Sequence, residues 1–135
     1  MVKINGTWLP LDWINPPMVL DVEYRTTEMF LNKPVYVKAF TLNRPTAPNT
    51  NASTTIATNV DKMISLTGYV SGTYNGTSYY SWCLPFDEVV NQIHLGGAVY
   101  DSDASHTLYC WLRYDQTVTA LTSGVGLAKY IKTPD

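Results

Sequence analysis

Asp101-Ser102-Asp103-Ala104-Ser105-His106 is the one stretch of the chain with ligand-like chemistry. Two carboxylates at i and i+2 and an imidazole could hold a divalent cation. A full calcium loop needs more oxygen ligands and a Gly at its sharp bend. Asp and Ser also cap backbone N–H groups in ordinary strand-connecting turns, so the turn is the favoured reading and no metal site is assigned. Nucleophilic catalysis would require Ser105 or Cys83, with His94 or His106 as base and an orienting acid. No G-x-S-x-G elbow supports it. Carboxylates for glycoside hydrolysis could be drawn from Asp87, Glu88, Asp101 and Asp103, but adjacency in a link or turn does not define a separation across a cleft. The expectation is a protein with no catalytic residue and no cofactor.

A second group of residues suggests binding rather than catalysis. Along 106–114, Leu108, Cys110 and Leu112 alternate with Tyr109, Trp111 and Arg113, so a strand that buries the first set turns the second set the other way. Tyr79 and Tyr100 lie on strands that could be neighbours. Rings with polar tips stack on the apolar faces of a pyranose while nearby Asn, Asp or Thr pair with its hydroxyls. The competing reading buries the same rings against a second sheet or another subunit. The candidate receptor or sugar contacts are therefore Tyr79, Tyr109, Trp111 and Arg113, with Asp101 and Asp103 at the rim.

The elements that must position these residues follow from periodicity and turn chemistry. Pro34 to Leu42 alternates with period two and reads as a strand. Asn43 to Ser53 carries Pro45 and Pro48 and reads as a loop. Ser53 to Ala57 is a short strand, and Lys62 to Ser71 a longer one with Ile64, Leu66, Gly68 and Val70 on one face. Tyr74-Asn75-Gly76-Thr77 is a strong hairpin signal, because both central residues of a type I′ turn need positive φ. It leads into Ser78 to Phe86, with Trp82 and Leu84 on one side and Tyr79, Ser81 and Cys83 on the other. Gln92 to Asp101 places Ile93, Leu95, Gly97 and Val99 inward. After 106–114 come a short strand at Thr117 to Thr122, a turn at Ser123-Gly124 and a closing strand from Gly126 to Thr133. Residues 20–32 fit either a strand or a turn of helix, with a chain reversal at Asn32-Lys33-Pro34.

Composition bounds the whole. In 135 residues, charged residues are 15% and hydrophobic ones 45%, so uncharged Thr, Asn and Ser supply the polar surface. Abundant Thr, Val and Tyr favour pleated sheet over helix. Strands spaced by such turns imply an all-β antiparallel sandwich, jelly-roll-like. With 9 basic and 11 acidic residues and no run of either sign, the chain lacks the electrostatic footprint for nucleic acid. No apolar run reaches the roughly 20 residues of a membrane-spanning helix, so no membrane insertion is expected. Cys83 and Cys110 are expected as free, buried strand thiols. Sequons at Asn5, Asn51 and Asn75 matter only in a secretory pathway, and Asn-Gly turns account for two of them.

The first twenty residues have a different texture. Asn5-Gly6 before Thr7-Trp8, then Pro10, Trp13 and Asn15-Pro16-Pro17, read as a hairpin, a strand and a rigid connector. Two Trp in a segment with little core of its own need covering, so the chain looks cut from a longer protein. Trp8, Trp13, Pro16 and Pro17 are the candidate oligomer contacts. The division expected is a connector or remnant of an upstream module at 1–20 and a β-sandwich at 21–135.

Both ends of the chain resemble a known family. Asn15-Pro16-Pro17-Met18, then Val22-Glu23-Tyr24-Arg25-Thr26-Thr27-Glu28 and Asn32-Lys33-Pro34-Val35-Tyr36-Val37-Lys38, resembles the entry to the C-terminal receptor-binding tip domain of phage and prophage tail-fibre proteins. The end, Tyr130-Ile131-Lys132-Thr133-Pro134-Asp135, is similar to that family's terminal pattern. Pro48-Asn49-Thr50 and Asn59-Val60-Asp61 also fit, and Asn5 to Trp13 resembles the last strand of a small knob-like module that precedes such domains. Residues 71–122 depart from the pattern. The resemblance implies a β-sandwich at the tip of a virion tail fibre, synthesised in the bacterial host cytoplasm. It implies a homotrimer joined to the fibre shaft that adheres to a bacterial surface glycan or protein receptor. The alternatives are a monomeric carbohydrate-binding module of a bacterial surface protein and a tail-associated hydrolase.

Overall fold

The computed structural model describes residues 1–10, 13, 15–74, 76–84, 86–87, 92–100, 104–115 and 118–133. In chain order the strands are β1 (Val2–Ile4), β2 (Thr7–Leu9), β3 (Glu23–Phe30), β4 (Lys33–Thr41), β5 (Ala52–Ala57), β6 (Val60–Tyr74), β7 (Thr77–Leu84), β8 (Phe86–Asp87), β9 (Gln92–Val99), β10 (Leu108–Tyr114) and β11 (Val118–Lys132). β1 and β2 make a separate hairpin whose turn residues, Asn5 and Gly6, both have positive φ. The others form a five-stranded sheet, β3-β4-β11-β6-β7, and a four-stranded sheet, β5-β10-β9-β8, antiparallel throughout. The fold is the expected all-β antiparallel sandwich. Because β4 pairs with β11 and β5 with β10, a two-stranded ribbon crosses from one sheet to the other, which is the wrap of a jelly roll.

Alternation along each strand sends one set of side chains into the space between the sheets. Phe40, Leu42, Val70, Trp82, Leu84 and Tyr130 from the larger sheet meet Ile56, Ile93, Leu108, Cys110, Leu112 and Tyr114 from the smaller one. Burial of this apolar surface is the main force holding the two layers together. Leu95, Val99 and Leu66 pack against its margin. Burial pushes the Cys110 thiol up to about 11. The Tyr130 phenol is raised further by burial and by its hydrogen bond to the Glu23 carboxylate.

Four expectations are corrected in detail. Residues 23–30 are strand, and the reversal into β4 uses Leu31 and Asn32, at φ 51° and 60°, rather than Asn32-Lys33-Pro34. Ser123-Gly124 is not a turn: β11 runs unbroken, with a bulge between Leu121 and Ser123, and a Cβ on Gly124 would press on Val70 and Leu42. Ile64 leaves the inner face because β6 is bulged there, with Lys129 opposite Ser65 and Tyr130 opposite Met63, so Met63 fills the interior instead. Cys83 is exposed on β7 opposite Tyr69; only Cys110 is a buried thiol, and both are free.

The two sheets differ on their outer faces. On β4, Val35, Val37 and Ala39 point away from the sandwich interior yet are buried. The segment leading into β3 lies over them: Val37 shares a cleft of about 250 Å³ with Trp13, Pro16 and Met18, and the Asp21 N–H donates to the Ala39 carbonyl at 2.7 Å. The Arg25 guanidinium sits 4.1 Å above the Trp13 ring, which fixes the start of that cover. Ion pairs between Lys129 and Glu28 at 3.3 Å and between Lys132 and Glu23 at 2.8 Å tie β3 to β11 across β4.

Candidate functional site

On the smaller sheet the outer face is built around β10. Leu108, Cys110, Leu112 and Tyr114 are buried, so Tyr109, Trp111 and Arg113 face outward, each half-buried, as their alternation requires. On β5 the direct partners are Thr55 opposite Tyr109 and Ser53 opposite Trp111; on β9 they are Ala98, Gly96 and His94 opposite Tyr109, Trp111 and Arg113. Small residues on both flanks leave the large ones room to lie down.

Trp111 does so. A Cβ placed on Gly96 would come within 2.4 Å of indole Cζ2 and 2.8 Å of Cε2, so the ring occupies the space a side chain at 96 would need. Only glycine permits that approach. The Tyr109 ring follows at 5.9 Å, tilted 40° to the indole, and Tyr100, just past the end of β9, stacks on Tyr109 at 4.3 Å and 14°. Tyr100 itself is about half exposed. A hydrogen bond with the neighbouring Tyr100 phenol, together with desolvation, pushes the Tyr109 phenol above its ordinary pKa. The result is a row of three aromatic rings, flat at one end and with two phenols at the other.

Polar groups continue the row beyond Trp111. Arg113 Nη2 donates to Asn49 Oδ1 at 3.2 Å, and Nε is buried with no hydrogen-bond partner. His94 Nε2 lies 3.5 Å from Asp115 Oδ1. Asn49 takes φ 60° and its own N–H donates to the Tyr114 carbonyl at 2.8 Å, so the loop between β4 and β5 is fastened to β10 from two directions. Behind that loop, Thr41, Asn43, Arg44, Pro45, Tyr114 and Leu121 line an open cleft of about 690 Å³.

The sequence-derived candidates are thus only partly brought together. Tyr109, Trp111 and Arg113 share one face. Tyr79 belongs to the other sheet: it pairs with Gly72, its ring is 4.7 Å from Trp82, and it borders a separate cleft of about 340 Å³ with Ser71, Thr73 and Thr122. Asp101 and Asp103 lie outside the described residues. The end of their turn is anchored to the start of β6, where the Asn59 and Val60 N–H groups donate to the Ser105 and His106 carbonyls at 2.7 and 3.1 Å. Among the described residues no group of three His, Cys, Asp or Glu side chains could hold a metal ion. Of the oligomer candidates, Trp8 is exposed and Pro17 is exposed, while Trp13 and Pro16 are half-buried on the chain's own sheet. Sequence reasoning missed His94 as a partner for Asp115, Asn49 as the partner of Arg113, and Gly96 as the seat of the indole. A Gly-Gly pair inside a strand was the available signal for the last, because glycine there marks a close approach. No protein-family model matches the chain, and neither the curated proteins nor the solved structures give a match.

Proposed function

We propose that the chain is the receptor-binding tip domain of a phage or prophage tail fibre and that it adheres to a bacterial surface glycan through the outer face of the β5-β10-β9 sheet. The observation that carries the reading is the Trp111 indole laid over Gly96 beside Tyr109 and Tyr100. A flat ring supplies apolar contact to one face of a sugar, and the phenols, Ser53, Thr55 and Asn49 supply hydrogen-bonding partners for its hydroxyls. The resemblance at both ends of the chain supports the fibre context, the homotrimer and the location at the virion tail tip. No step of bond making or breaking belongs to this reading, and no cofactor does.

Trp111→Ala is the test. Saccharide and whole-cell binding are expected to fall below detection while the far-ultraviolet circular dichroism stays that of the parent. Binding equal to the parent would sink the proposal. A second reading, a monomeric carbohydrate-binding module, is favoured by Trp13: Arg25 covers its ring within one chain, which removes half of the aromatic surface that called for a neighbour. Light scattering separates the two, because a closed trimer has three times the mass of the module.

A further inference from the structure

From the state of Arg113 we infer that the saccharide bound on this face is anionic, its carboxylate or phosphate received by the Arg113 guanidinium beside the Trp111 ring. The inference rests on the glycan-binding reading above and names the class of glycan. The other cations of the described chain are accounted for. Lys33 and Lys62 pair with Asp61, Lys129 with Glu28 and Lys132 with Glu23. Arg25 and Lys3 lie over Trp rings, and Lys38 and Arg44 donate to the backbone carbonyls of Ile56 and Leu121.

Arg113, like Lys38 and Arg44, donates to a neutral amide oxygen, but its Nε is also buried without a hydrogen-bond partner. It is half-buried, and its one hydrogen bond goes to the neutral amide oxygen of Asn49; among the described residues it makes no salt bridge. Asp115, two residues further on, lies 3.5 Å from His94 Nε2. A guanidinium taken partly out of water is ordinarily compensated by an anion, because desolvation of the charge is costly and a neutral acceptor restores little of it. Among the described residues no carboxylate is paired with Arg113. Arg113 also lies two residues from Trp111 on the same face, a backbone repeat of about 6–7 Å along a strand, which is close to the width of one sugar ring. A ring stacked on the indole would bring an exocyclic acid group to Arg113, whose planar fork suits both carboxylate and phosphate. Asn49 holds the guanidinium in place and leaves Nη1 without a partner among the described residues.

The test uses the whole chain on an array in which each acidic saccharide stands beside its own neutral form: uronate oligosaccharides beside their methyl esters, and phosphorylated mannan beside dephosphorylated mannan. At least about tenfold tighter binding to an acidic member than to its partner is expected, lost in Arg113→Gln and kept in Arg44→Gln, which removes a cation of the neighbouring loop that does not lie on this face. The uronate and phosphate pairs report which anion the site takes. Loss in Arg44→Gln equal to that in Arg113→Gln would overturn the inference, because general positive charge rather than the guanidinium on this face would then account for the preference. Equal, Trp111-dependent binding to acidic and neutral members would overturn it while leaving the glycan reading intact. Binding to no saccharide, with cell attachment unaffected by Trp111→Ala, would overturn both.

Discussion

Two rings in this protein lie flat over a glycine on the neighbouring strand, one inside and one outside. Phe40 on β4 faces Gly126 on β11, where an added Cβ would come within 2.4 Å of Cζ; Trp111 on β10 faces Gly96 on β9 at the same 2.4 Å from Cζ2. The local device is identical. The difference is what lies above the ring. Phe40 is 1% exposed because the opposing sheet closes over it, whereas the described residues leave the indole partly uncovered on the outer face. The same cross-strand geometry therefore serves packing in one place and presents a surface in the other, and only the third layer decides which.

The comparison is broken most severely by filling the inner glycine. In Gly126→Ala the phenyl ring has no room to withdraw, so overpacking is expected to cost about 2–3 kcal/mol, read as a lower midpoint in urea. A midpoint equal to that of the parent would mean that the opposing sheet does not clamp Phe40. Gly96→Ala makes the same clash against a ring that can lift into solvent. Its expected cost is below about 1 kcal/mol, with a red-shifted Trp fluorescence and weaker saccharide binding as the indole loses its flat seat. Equal destabilisation by the two substitutions would show that the outer ring is clamped as well.

A third measurement reads cover without disturbing stability. Cys110 lies on the covered face of β10 with its thiol pushed up to about 11 by burial, so at pH 8 it remains protonated and unreactive. Cys83 is exposed. A thiol reagent should modify one group in the native chain and two after unfolding. Two fast equivalents in the native state would show the interior face to be open.

How much of this was legible before folding depends on which force decided each feature. The alternation Leu108-Tyr109-Cys110-Trp111-Leu112-Arg113 fixes a face by period alone, and the sheet obeys it. The Asn5-Gly6 turn was equally readable, because backbone sterics act within two residues. Cys83 was misread although its alternation set it opposite the buried Trp82 and Leu84, because no layer covers it on that face; Ile64 and Ser123 were misread for one reason. Bulges in the β6–β11 pairing shift the phase of a strand, and a bulge is settled by the partner strand rather than by the sequence of the bulged one. Tyr79 was grouped with Tyr109 because composition marks aromatic strands but not which sheet each joins; the ribbon crossing that separates them depends on pairings more than thirty residues apart.

The position of β11 also sets an order of events during synthesis. It is the last described strand in the chain, yet it stands in the middle of the five-stranded sheet, with β4 on one side and β6 on the other. The hairpins β3–β4 and β6–β7 can close as soon as each leaves the ribosome, but they share no hydrogen bonds with each other until β11 slots between them. Until then both present an open edge, and the nascent chain is held apart by a gap of one strand. Assembly of the larger sheet is therefore a late, long-range closure, slow by its topology and most exposed to edge-to-edge association in the interval before that strand arrives.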